Sequence, residues 1–147
     1  MYFSLTEKLL SQIKYYTPDA IANLKGSAEY PLLKGKISFW QVKQGCLVLV
    51  EVEGLPQTDI ICDSPIFAFH IHEGDRCSGN TGEPFADTAG HYNQGWAWMS
   101  IVTNQFSLKE IIEKTAVIHR HFDDLKTQPS GNSGEKIACG VIRATWD

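Results

Sequence analysis

The chain has 147 residues, 43% hydrophobic and 20% charged, with a net charge of −4. That length fits one domain with a real core, and no apolar run is long enough to span a bilayer, so no membrane partner is expected. The acidic balance argues against nonspecific nucleic-acid binding and offers no general attraction to an anionic substrate.

Residues 1–17 read as an N-terminal extension and 18–147 as one β domain. Within the extension, residues 4–15 carry Leu5, Leu9, Leu10 and Ile13 as a partial apolar stripe behind Ser4 or Thr6, which predicts a short helix. Its first ten residues show no basic, apolar or small-residue cleavage region, so the expectation is a cytoplasmic protein, or an extracytoplasmic one if the chain was trimmed. After Thr17-Pro18 the pattern turns to strands, predicted over 20–24, 36–43, 46–53, 66–72, 96–103, 116–120 and 137–145. Gln44-Gly45 predicts a tight hairpin between the second and third. Ser107 predicts a helical turn over 108–114. Short strands of this spacing imply an all-β sandwich or barrel. Two stretches, 74–93 and 122–135, are rich in Gly, Asp, Ser and Thr and predict long loops, where chemistry on a β scaffold usually lies.

All five histidines, His70, His72, His91, His119 and His121, fall after residue 69 and flank those loops. His70-Ile71-His72 lies in a strand pattern, where residues two apart share a face, so two imidazoles stand side by side as half of a metal site. Four cysteines without a Cys-x-x-Cys pair are too few for a disulfide scaffold. Cys46 alternates with Val48, Val50 and Val52 and reads as core; Cys62 falls in a loop. Trp96, Trp98 and Phe106 read as core or as the face of a homodimer. Glu73, Asp75 and Asp87 are acids near the histidines, of the kind that more often cap loops.

Four motifs in order, Phe69-His-Ile-His-Glu-Gly-Asp75, Ala89-Gly-His-Tyr-Asn93, Val117-Ile-His-Arg-His-Phe-Asp-Asp124 and Gly131-Asn-Ser-Gly-Glu-Lys-Ile-Ala-Cys-Gly-Val-Ile142, resemble the Cu,Zn superoxide dismutase family. The resemblance covers about residues 18–145. It implies a Greek-key β-barrel and a copper enzyme that converts superoxide, its small-anion substrate, to O₂ and H₂O₂. It makes His70, His72, His91 and His119 the copper ligands and pairs Cys77 with Cys139 in a disulfide. Asp123 matches an aspartate that orients ligand histidines, and Lys136 stands where the family has an anion-guiding arginine. Arg120, Lys126 and Lys136 would then supply the local positive patch.

The sequence also departs from the family. After His91 the chain passes directly to Gln94-Gly-Trp-Ala-Trp98, so the long zinc loop is absent and three of the four zinc ligands have no counterpart. The expectation is a copper site without a complete zinc site, on a barrel one strand short of eight. His121 alternates with His119 and would share its face, which makes it the candidate extra ligand. The alternative is a superoxide dismutase-like domain that binds copper, or a partner, without turnover.

Overall fold

The computed structural model describes residues 16–56, 67–80, 82–88, 91–93 (backbone), 101–128 and 131–146. The expected helix at 4–15, Cys62, Trp96 and Trp98 lie outside these residues, as does the side chain of His91. Among the described residues eight strands form one sheet: β1 (Ala20–Gly26), β2 (Lys34–Val42), β3 (Gly45–Glu53), β4 (Ala68–His72), β5 (His91–Asn93), β6 (Ile101–Thr103), β7 (Thr115–His119) and β8 (Lys136–Ala144). Their spatial order is β5-β4-β7-β8-β1-β2-β3-β6, and every pairing is antiparallel. The chain crosses over from β3 to β4, from β5 to β6 and from β6 back to β7. These are the long connections of a Greek-key arrangement.

All seven strands read from the sequence have a counterpart, although of 96–103 only 101–103 and of 66–72 only 67–72 lie within the described residues. To them is added β5, whose three residues are too few for a periodic pattern to register. With β5 the described sheet has eight strands, where seven were expected. The hairpin sits one residue earlier than its glycine suggested, because Val42 pairs with Gly45 and the loop is Lys43-Gln44. Gly45 has φ +137, and a Cβ there would fall 2.0 Å from the Thr103 carbonyl oxygen, so it serves as the first residue of β3 against β6.

Alternation puts Ala20, Ala22 and Leu24 of β1, Ile37 and Phe39 of β2, and Cys46 and Val48 of β3 on one face. Ile71 of β4, Ala116 and Ile118 of β7, and Ala138 and Ile142 of β8 join the same buried cluster, so the sheet curls around this main core. The single α-helix among the described residues, α1 (Leu108–Ile111), adds Leu108 and Ile111 to it. Ser107 donates its backbone N–H to Glu110 Oε2 at 2.6 Å and so starts the helix. It stops short of the predicted Lys114 because Glu113 turns to φ 66, and the Glu113 N–H is given to the Ile142 carbonyl.

The opposite face of β4, β7 and β8 carries the chemistry. The β4–β7 register sets Ala68 against His119, His70 against Val117 and His72 against Thr115. The next pairing sets Val117 against Cys139. Cys139 is joined to Cys77, with Cα atoms 5.6 Å apart, so the segment around Cys77 that follows β4 is tied down onto this face. Phe85 packs with Val117, Cys139 and Cys77 under the loop.

Candidate metal centre

Among the described residues one group of metal-ligating side chains is found: His70, His72 and His119, all buried, with their candidate donor atoms within 4.8 Å of one another. The rings of His72 and His119 are stacked at 5.3 Å, and His70 meets His119 edge-on at 4.9 Å. Two strands produce this cluster. Strand β4 presents the two residues of the His-x-His pair, and β7 brings the third alongside.

The hydrogen-bond partners fix which nitrogen of each ring faces the centre. His119 Nδ1 lies 3.1 Å from the Gly134 carbonyl oxygen, which can only accept, so the proton of neutral His119 is on Nδ1. Thr88 Oγ1 donates its one proton to the Phe85 carbonyl at 2.9 Å. Its contact of 3.4 Å with His72 Nδ1 therefore has the imidazole N–H donating. His70 Nε2 donates to Asp123 Oδ2 at 2.9 Å. Burial pushes the His70 pKa below its ordinary 6.5, with Asp123 opposing, so the ring is neutral and its lone pair is on Nδ1.

Two lone pairs, on His72 Nε2 and His119 Nε2, then face each other 3.0 Å apart. Such a pair repels unless a cation lies between the nitrogens. The donor set fits a borderline transition metal: three imidazole nitrogens, all carrying lone pairs, with the opposite nitrogen of each ring held by an oxygen.

The neutral state of His70 sets a pH dependence. The unfolded chain takes up a proton at this histidine near pH 6.5, whereas the folded, metal-free protein resists it. Stability is therefore full above 6.5 and falls as the pH drops below it. Urea unfolding of the metal-free protein at pH 7.5 and 5.5 should give the lower midpoint at 5.5, and equal midpoints would contradict the assignment.

The other sequence-derived residues fall as follows. Asp123 touches the cluster through His70. Lys136 is the Cα partner of His119 in the β7–β8 register. Its largely covered ammonium donates to the Phe85 carbonyl at 3.4 Å and lies 3.9 Å from Glu83 Oε1. The backbone of His91 pairs with His72, which sets β5 at the edge of the site. His121 does not share the face of His119 by strand alternation, because β7 ends at His119 and the chain bends there. It is exposed, with its ring against Gly134. Asp87 accepts from Ser78 Oγ at 2.5 Å, and Asp75 faces Arg76 in an exposed ion pair.

Sequence reasoning missed Thr88, the Phe85 carbonyl and the Gly134 carbonyl. A carbonyl has no signature in sequence; Gly134, at φ 74, was legible only as a conformationally special residue.

Comparison with known proteins follows the same line. The family described as copper/zinc superoxide dismutase matches residues 92–142. Cu-Zn superoxide dismutase A of Xenopus laevis is 30% identical over 84% of this chain and 95% of its own length. Cu-Zn superoxide dismutase 2 of Aquifex aeolicus is 27% identical over 74% of this chain and 78% of its own. Among solved structures, the clock protein EA4 is 26% identical with a TM-score of 0.64, covering 98% of this chain and 99% of that one. A SOD-like protein from Bacillus subtilis shares the fold at 20% identity and a TM-score of 0.61, over 84% of this chain and 97% of that one. The ordered histidine motifs, the curled antiparallel sheet, the disulfide and these relatives agree: the chain belongs to the Cu,Zn superoxide dismutase family.

Proposed function

We propose that the protein is a copper-dependent superoxide dismutase working without a complete zinc site. The observation that carries this is the meeting of three buried imidazoles whose candidate donor atoms lie within 4.8 Å of one another, the opposite nitrogen of each ring standing beside an oxygen. An all-nitrogen set suits Cu(II), which also stands highest in the divalent affinity order. His91 is the fourth ligand in this reading, supported by its backbone place opposite His72. Copper bound there supplies one-electron redox chemistry: one superoxide gives up an electron and leaves as O₂, and a second takes an electron and two protons to become H₂O₂.

The chain's own groups do the rest. Asp123 keeps the His70 proton on Nε2, and Gly134 and Thr88 keep the other two protons turned away from the centre. Lys136 puts a positive charge on the strand beside His119, against an overall negative field. A lysine offers a point charge rather than an arginine's fork, which supports a slower reaction than an arginine would give. Residues 94–100 contain no His, Asp, Glu or Cys, which supports a site without zinc. No described helix is long and apolar enough to cross a membrane.

Elemental analysis and a superoxide assay on one purified sample test this. Copper near one per chain with disproportionation is the expected result. One equivalent of zinc would overturn the zinc-free reading. Stoichiometric copper with no more activity than aqueous copper would favour the non-enzymatic alternative.

A further inference from the structure

Leu125 is a bulky residue in the left-handed region, φ 57, where a Cβ is disfavoured. The residue is 63% exposed, so packing does not offset that strain. What the conformation delivers is a backbone contact: the Leu125 N–H donates to Asp123 Oδ1 at 2.7 Å. The other oxygen of the same carboxylate holds His70 Nε2. Asp123 is also walled in from behind, since a Cβ on Gly131 would fall 1.8 Å from Oδ1. The turn that carries all this is closed on itself. The Asp124 N–H donates to the Gly131 carbonyl at 2.8 Å, and the Asp124 Oδ1 accepts the N–H groups of Lys126 and Thr127, each at 2.8 Å.

Backbone strain at a residue with no packing reason, next to a functional carboxylate, points to a positioning device. We infer that the strained Leu125 turn is the anchor of the metal centre: its N–H and Gly131 fix the Asp123 carboxylate, which in turn aims His70. A carboxylate held only through His70 could rotate about its χ angles and let the ring turn with it. Tied at Oδ1 by the backbone, it has one orientation, and the aim of His70 is set by protein alone, with no second metal. Leu125 is thus a positioning residue acting through its main chain. As far as it concerns copper, the inference rests on the function proposed above; as far as it concerns Asp123 and His70, it does not.

The experiment compares Leu125→Gly, Leu125→Val and Leu125→Pro in the full chain. Glycine keeps the N–H and adopts positive φ without strain. Valine keeps the N–H but resists that φ more than leucine does, and proline removes both. In the metal-free protein, NMR reads the exchange rate of the His70 Nε2 proton. With Cu(II) added, electron paramagnetic resonance and a competition titration read geometry and affinity. The glycine variant should match the wild type in every measurement. The valine variant should exchange the proton faster, and the proline variant, if it folds, should lose Cu(II) affinity by about ten- to a hundredfold with an altered spectrum. Equal proton exchange in the valine and glycine variants would overturn the anchor, whether or not the proline variant folds. A wild-type chain that takes up no copper would overturn the proposed function instead, and the exchange series would still decide the anchor.

Discussion

His119→Ala is expected to bring the copper content of the purified protein close to zero and to abolish superoxide disproportionation, while the fold persists. Removing a ligand should cost more than removing a residue that merely orients one, so the loss in affinity should exceed about a hundredfold. His119 is 2% exposed and sits on the face of β7 away from the main core. Its loss therefore leaves a space beside His70 and His72 but takes nothing from the cluster built on Ala116 and Ile118. Two rings remain, and the opposed lone pairs of His72 and His119 are gone. Metal analysis, activity and circular dichroism on one sample check the three parts separately. Retained activity at copper contents near one per chain would remove the three-histidine centre as the site.

Replacing both Cys77 and Cys139 by serine should destabilise the protein by about 4 kcal/mol in the chain-entropy model. The bridge spans 62 residues, and closing so long a loop removes much of the unfolded chain's freedom. For a domain of this size the thermal midpoint should fall by roughly 8–16 °C. The native side adds to the effect, because Cys139 and Phe85 are buried together with Val117, and serine would put two hydroxyls there. Calorimetry of the double variant beside the oxidised wild type measures the shift. A change below about 1 kcal/mol would mean that the unfolded chain is already compact enough to make the cross-link redundant.

Strands were legible wherever one face was core and the other was not. Ala20, Ala22 and Leu24, or Phe69 and Ile71 alternating with His70 and His72, carry a period of two that has only one structural reading. β5 was not, since three residues cannot show a period and its place depends on pairing with distant β4. The same limit shortened the predicted helix after Ser107, where the long-range bond from Glu113 to Ile142 ended it. In the candidate site, His70, His72 and His119 were readable as ligand types at strand spacing. Their protons were not, because these are fixed by Thr88, Gly134 and Asp123 from other parts of the chain. His121 misled for a local reason: alternation was extended one step past the bend that ends β7.

The division of β4 into two faces has a consequence for folding fidelity. Phe69 and Ile71 pack toward the core, while His70 and His72 point away from it. A slip of one residue in the pairing of β4 would send both imidazoles into the apolar interior and both large apolar side chains out to the loop side. The wrong register would lose its core and its donor set together, so a metal-binding titration would report strand alignment as directly as it reports chemistry.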